Sequence, residues 1–269
     1  MKFKVTPYHS NLIKDTQRLS AFYEGISEYA EELNHLKNEE SIINKVVYDL
    51  GCGSGVLTYF ASLYFQGVVG FEKESKIASY AAENLKEYDN AIIINEDVLN
   101  LEGLQKADFI ICEMLDTALI DEEEVLALNH FLPFKEDDAI VIPKEVVNFA
   151  EPVNMQRDNI CWEDDDYKPN YEIIGPSIKY GEINLNKKID EDFSSNLKLK
   201  INKDSILNGI KITTVTLITD KIVLGSTPMF NPPLFVPVDE LIVSKGDIIN
   251  LNLSYKMGGG IESIKTVIN

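Results

Sequence analysis

Cysteine is scarce in this chain of 269 residues: three, at positions 52, 112 and 161. That number excludes a disulfide framework, and the spacing fits no zinc-ligand pattern. The three histidines, His9, His35 and His130, have no cysteines or carboxylates beside them at ligand spacing, so no metal site is expected. No apolar run approaches the ~20 residues of a membrane span, and the start, Met-Lys-Phe-Lys-Val, lacks the apolar stretch of a secretory leader. These absences lead to the expectation of a reduced, cytoplasmic protein without a membrane partner. Basic residues are also in deficit, 25 Lys and Arg against 44 Asp and Glu, for a net charge of −19. Such a surface repels phosphates and anionic lipids, which disfavours nucleic acid and favours cationic ligands, a basic protein among them. A merely solvated acidic surface is the plainer reading of the same number.

Apolar content is ordinary, 45% of residues, enough for one large domain or two of medium size. Leu12, Leu19, Phe22, Tyr23, Ile26, Tyr29 and Leu33 recur at helical spacing, so residues 9–35 read as helical, with Ser10 as N-cap. Short apolar runs at 45–49, 68–72, 91–95, 108–113 and 139–142 then alternate with helical stretches such as 56–65 and 75–88. That alternation predicts a parallel sheet covered on both faces. The texture changes near Pro143. Residues 210–218 and 248–255 alternate polar with apolar, Lys245-Gly246-Asp247 marks a turn, and Pro232, Pro233 and Pro237 exclude helix. The second half is expected to be antiparallel β, a barrel or a sandwich.

The most informative segment is Val46-Val47-Tyr48-Asp49-Leu50-Gly51-Cys52-Gly53-Ser54-Gly55, an apolar strand, a glycine turn and the start of a helix. Gly51, Gly53 and Gly55 let the backbone approach a ligand, and the helix start behind them offers N–H groups to an anion. Dinucleotide-binding folds use G-x-G-x-x-G, whereas this chain has G-x-G-x-G with Val56 in place of the last glycine. With Asp49 two residues ahead, the segment resembles the glycine loop of class I S-adenosylmethionine-dependent methyltransferases. Glu72, ending the second strand, is placed for ribose hydroxyls, and Asp97, after the third, for an adenine amine.

Across most of its length the chain resembles the protein arginine methyltransferases. His9-Ser10-Asn11-Leu12-Ile13-Lys14-Asp15-Thr16-Gln17-Arg18 is similar to the family's H-x-x-M-L-x-D-x-x-R helix, which closes over the cofactor. The resemblance implies that Arg18 pairs with the methionyl carboxylate and that His9 lines the same pocket. Ile111-Cys112-Glu113-Met114-Leu115-Asp116 is similar to S-E-W-M-G-Y, the start of the family's double-glutamate loop, and Glu122 lies nine residues after Glu113. Nine extended residues span roughly 30 Å, so both carboxylates meet one substrate only if the loop doubles back. A planar guanidinium with forked N–H donors suits such a pair. Glu122 also reads as a helix-start residue in Asp121-Glu122-Glu123-Glu124, ahead of a helix at 125–132, and Asp116 or Asp121 are alternatives to it.

The implied architecture is α/β: a Rossmann-like class I methyltransferase domain at 1–145, then an antiparallel β-barrel or sandwich domain at 146–269. Asn129–Pro133, Ile140–Pro143 and Val238–Ile249 resemble the approach to that β domain and a strand–turn–strand within it. Segment 155–180, with Trp162, Tyr167, Tyr171 and Tyr180, falls where the family has a dimerisation arm, so a homodimer is expected. Three departures stand out. The family's leading aromatic segment is represented only by Phe3 and Tyr8. W-M-G-Y has become Met114-Leu115-Asp116-Thr117. The T-H-W triplet is replaced at Pro228-Met229-Phe230, which leaves Asp15 without its histidine partner. The resulting expectation is methyl transfer from S-adenosylmethionine to a protein nitrogen of arginine type. A small-molecule or other acceptor, and a non-catalytic cofactor-binding protein, are the alternatives.

Overall fold

The computed structural model describes residues 3–36, 45–156, 158–163 and 169–269. It opens with two helices, α1 (Pro7–Lys14) and α2 (Thr16–Leu36). Residues 9–35, expected to be helical, fall in these two helices, which begin ahead of the expected start, and Ser10 is not a cap. Thr6 caps α1, its hydroxyl accepting from His9 N–H, with Pro7 supplying the fixed φ of a first helical residue. Asp15 takes the same role for α2 by accepting from Arg18 N–H at 3.1 Å.

Five parallel strands follow: β1 (Val46–Leu50), β2 (Gly67–Phe71), β3 (Ala91–Ile94), β4 (Ala107–Cys112) and β5 (Lys135–Ile142). Their order in the sheet is β3-β2-β1-β4-β5. The helices α3 (Val56–Ser62), α4 (Ser75–Leu85) and α5 (Glu124–Phe131) lie between them in the chain. The chain starts at the centre, moves outward one way, and returns to build the other side. The connections after β1 and β4 thus diverge, opening a crevice at the strands' carboxyl ends. Val47, Leu50, Phe71, Phe109, Ile110 and Ile111 are buried at the centre of this sheet, as its apolar runs required. Burying each such side chain stabilises by about 1.5–3 kcal/mol.

From Glu145 onward every pairing is antiparallel. The strands are β6 (Glu145–Met155), β7 (Cys161–Trp162), β8 (Tyr171–Ile173), β9 (Ile178–Asn184), β10 (Asp192–Lys200), β11 (Ser205–Leu217), β12 (Val223–Leu224), β13 (Leu234–Val243), β14 (Ile248–Lys256) and β15 (Lys265–Ile268). They form a seven-stranded sheet, β7-β13-β11-β6-β8 with β9 on β6 and β12 on β11, and a three-stranded sheet, β10-β14-β15. Leu197, Leu199 and Leu251 from the smaller sheet and Ile210, Ile212 and Leu234 from the larger one share a core with the parallel half.

Helix α2 joins the two halves. Phe22 meets Phe230 edge to face, 6.1 Å between centroids. At Gly25 a Cβ would lie 2.7 Å from Ile218 Cγ2, so only glycine permits this approach. Glu28 accepts from Thr219 and pairs with Lys221. Of the aromatics in segment 155–180, Trp162 sits on β7 against Leu234, Tyr171 packs on Phe235 at 4.7 Å, and Tyr180 meets Phe193 at 5.8 Å. Tyr167 and the acidic residues 164–166 lie outside the described residues. Among the described residues no helix is long and apolar enough to cross a membrane.

Candidate functional site

A cavity of about 300 Å³ opens at the carboxyl ends of β1, β2, β3 and β4. His9, Arg18, Asp49, Gly51, Gly53, Glu72, Asp97, Glu113 and Glu122 all line it. Gly55 does not. With φ of +81° it caps α3 on the far side of the loop, where a Cβ would press on Ala81 and Leu85 of α4. Its role is to let the glycine loop settle on α4, a packing contact that spacing alone does not separate from ligand contact.

Asp49 ends β1, almost wholly buried, and accepts a 2.5 Å hydrogen bond from Thr58 in α3. Desolvation pushes its carboxyl up to about 7, against the opposing influence of Thr58 and Arg18. Gly51 and Gly53 follow with φ of +68° and +55°. A Cβ at Gly51 would lie 2.6 Å from Met114 Sδ, and one at Gly53 would lie 3.0 Å from His9 Nε2. The loop is therefore pressed between α1 and the segment after β4, with bare backbone at the cavity wall. Glu72, directly after β2, uses its carboxylate to accept from Gly53 N–H at 3.1 Å and Glu74 N–H at 2.8 Å. It fixes the loop while facing the cavity. Asp97 caps a 3₁₀ turn through Leu99 N–H at 2.9 Å and also lines the cavity.

Helix α1 covers the cavity with Tyr8, His9, Leu12 and Ile13. His9 Nδ1 is 2.7 Å from Thr6 Oγ1, and desolvation lowers its pKa, which favours the neutral ring. Arg18 is only 3% exposed. Its Nη2 pairs with Glu113, while Nε and Nη1 are buried with no partner. Burial brings its pKa down to about 10. Two charged groups predicted to serve different ligands thus share an ion pair.

Glu122 reaches the same cavity as Glu113 because the loop between them doubles back. Asp116, buried, accepts from the backbone N–H groups of Ile120, Asp121 and Glu122 at 3.2, 3.0 and 3.3 Å. Ala118 and Leu119 take left-handed backbone angles, φ 63° and 60°. The β half holds them there. Ala118 N–H donates to Thr214, Thr117 Oγ1 to the Pro232 carbonyl, Gly258 N–H to the Leu119 carbonyl, and Gly260 N–H to the Ile120 carbonyl. Neither Asp116 nor Asp121 lines the cavity, whereas Glu122 does. At the rim, Lys73 pairs with Glu123 at 2.7 Å. Partial desolvation, then Asp121 and Glu123, raise the Glu122 pKa.

Three features were missed in the sequence. Glu124 reads as one more acid in a helix start, yet it is fully buried, accepts from Met114 N–H at 2.9 Å, and is pushed up to about 8 by desolvation. Asp116 carries no motif signal beyond its place in a loop that must turn. Asp15 has no histidine beside it but keeps a hydrogen-bond partner: the Thr227 hydroxyl donates to its carboxylate, and Met229 lines the cavity close by.

No known protein-family profile matches the chain. It is 43% identical over 268 residues to an uncharacterized protein of Methanothermobacter thermautotrophicus, covering all of both chains. It is 34% identical over 269 residues to an uncharacterized protein of Methanocaldococcus jannaschii, covering 98% of each. Protein arginine N-methyltransferase 6 of Danio rerio is 28% identical over 153 residues, 54% of this chain and 40% of that protein. Among solved structures, the Trypanosoma brucei PRMT1 enzyme-prozyme heterotetrameric complex with AdoHcy superposes with a TM-score of 0.75 at 16% identity, covering 98% of this chain and 96% of that one. The chain belongs to one family with the two archaeal proteins, a family built on the class I methyltransferase fold of the protein arginine methyltransferases.

Proposed function

We propose that this protein is an S-adenosylmethionine-dependent methyltransferase whose acceptor is a nitrogen of an arginine-like side chain on a protein. The observation that carries the reading is the meeting, in one cavity, of a bare glycine loop, a buried arginine with two unpartnered nitrogens, and the carboxylates of Glu113 and Glu122. The residues fit the cofactor. Orphaned buried donors on Arg18 suit its amino-acid carboxylate, and the wall at Gly51 and Gly53 has no room for a side chain beside Met114 and His9. Glu72 and Asp97 offer acceptors for ribose hydroxyls and the adenine amine. When bound, S-adenosylmethionine supplies an electrophilic methyl group on a sulfonium.

The chain's own residues do the rest. Glu113 and Glu122 would grip the acceptor and turn one nitrogen toward the cofactor's methyl group, and alignment of this kind is a main source of rate enhancement. Their negative charge draws on the N–H bonds and leaves that nitrogen more electron-rich. Methylation of that nitrogen would release one proton from it. Glu122, at the rim with a raised pKa, is placed to carry it to solvent. Tyr8, Leu12 and Ile13 keep bulk water from the reacting atoms.

A second reading keeps the transfer and changes the acceptor. Met114, Leu115 and Met229 line the cavity where the family likeness leads one to expect aromatic walls, which supports a non-arginine or small-molecule acceptor. Labelled cofactor, incubated separately with protein and metabolite fractions of a cell extract, decides between them. Label in protein that survives as methylated arginine supports the first, and label confined to small molecules removes it. Absence of heat with millimolar S-adenosylmethionine and S-adenosylhomocysteine removes both. The same reading assigns residues 1–145 to the cofactor and 146–269 to support of the acceptor loop, with segment 155–180 as the self-association surface. Sedimentation of the purified chain as a monomer at micromolar concentration removes that last assignment.

A further inference from the structure

Helix α1 covers the cavity without a single fully buried residue of its own, so contacts at its ends hold it in place. At its carboxyl end Asp15 takes a hydrogen bond from Thr227. At its amino end it continues from an irregular strap, Phe3–Thr6, that crosses α4. One buried side chain of α4 ties that strap down. Asn84 Oδ1 accepts from Lys4 N–H at 2.7 Å, and Asn84 Nδ2 donates to the Lys4 carbonyl at 3.0 Å. The same Nδ2 donates to the Ser54 carbonyl in the glycine loop, also at 3.0 Å. A carboxamide has one acceptor and two N–H donors, and here all are used, two on the strap and one on the loop.

Weaker contacts complete the strap. Phe3 meets Tyr59 edge to face at 5.9 Å, and the Lys4 ammonium lies 4.7 Å from the centre of the Tyr80 ring. From Thr6 the chain enters α1, whose His9 ring lies against Gly53. Ser54 and Gly53, neighbours in one loop, are thus each linked to the covering helix, one through Asn84 and the strap, the other through His9 directly.

We infer that Asn84 is a positioning residue that latches the strap to the glycine loop, and that this latch sets how long a ligand stays under α1. The inference rests on the cavity being an S-adenosyl site. Two-point pairing with the Lys4 backbone reads main chain rather than side chain, so the strap docks as a piece of ladder that forms and breaks as a unit. Broken, it frees the amino end of α1 and the His9 side of the cavity. Formed, it holds loop, strap and helix in one arrangement.

The test is the dissociation rate of S-adenosylhomocysteine from the full-length protein, from Asn84→Ala, from a chain lacking residues 2–5, and from the two changes combined. Each single change is expected to speed dissociation about tenfold, equivalent to about 1.4 kcal/mol. The combination is expected to add less than about twofold, because both break one latch. Unchanged rates in either variant overturn the inference. So do effects that multiply, which would mean that Asn84 acts through the fold and not through the strap. If the full-length protein binds no S-adenosylhomocysteine, the cofactor reading fails and the latch with it; binding with unaltered dissociation sinks the latch alone. Should Asn84→Ala not fold, hydrogen exchange of the unmodified protein decides. The Lys4 amide and those of α1 are expected to gain protection together on ligand binding, and independent behaviour overturns the latch.

Discussion

Arg18 holds Glu113 with one nitrogen and leaves two buried without partners. An unpartnered buried donor is costly, and a ligand carboxylate that satisfies both nitrogens recovers that cost. Arg18→Lys keeps the charge and loses the fork. It is expected to weaken S-adenosylhomocysteine binding about tenfold to a hundredfold by calorimetry, in line with charge-assisted hydrogen bonds of about 1.5–3 kcal/mol. Glu113→Gln is expected to behave oppositely: turnover falls by roughly 10²–10³, the usual loss for one preorganised electrostatic group, while cofactor affinity stays within about twofold. Loss of both together would reassign Glu113 to structure. Buried acids around the site also set a pH dependence. Desolvation raises Asp49 and Asp116 to about 7 and Glu124 to about 8. Unfolded, such carboxyls ionise near ~4. Between those limits the folded state keeps protons that the unfolded state has lost, so stability falls as pH rises through the window. The melting temperature is expected to decline from pH 5.5 to 8.5, and Asp116→Asn to flatten that slope. A flat profile in the unmodified protein would contradict this account of the three groups.

Among the elements, the loop from Glu113 to Glu122 depends most on its surroundings. Left-handed angles at Ala118 and Leu119 cost about 1–2 kcal/mol each for residues with a Cβ. Asp116 ties the loop from within, and Thr214 of β11 ties it from the β half, its hydroxyl accepting from Ala118 N–H and donating to Asn148. Thr214→Val removes both bonds while nearly preserving shape. It is expected to destabilise by about 1–3 kcal/mol in urea unfolding and to lower turnover with cofactor affinity unchanged. A stable but equally active variant would show that the β half does not set the acceptor loop. Legibility differed element by element. Strands β1 to β4 lie within one residue of their expected positions because both faces are covered and their apolar runs are unbroken. The first helix was misplaced because Pro7 after Thr6 and the break at Asp15 are local capping events that an apolar period does not register.

At the scale of the whole molecule, the net charge of −19 predicts that a basic acceptor is drawn in by long-range attraction. Its kcat/KM is expected to fall several-fold as salt rises from ~0.01 to ~0.15 M, as the Debye length drops from ~30 to ~8 Å, with kcat little changed. A salt-independent kcat/KM would leave the acidic surface as solvation only. The amino-acid sequence by itself determined what depends on neighbours in the chain: the strand, the glycine turn and the helix behind it, and Glu72 and Asp97 at successive strand ends. It also determined the change to antiparallel β after Pro143, through a shift of hydrophobic period. Only the tertiary structure decided which acids do what. Glu122 lines the cavity, Asp116 turns the loop, and Glu124 is buried beneath it, though all three are carboxylates within nine residues of one another. It also decided that Arg18 meets Glu113, that Gly55 serves packing, and that Asn84 holds the strap. Those roles depend on burial and on contacts between residues far apart in the chain, 95 positions for Arg18 and Glu113 and 115 for Thr117 and Pro232, which no local pattern encodes.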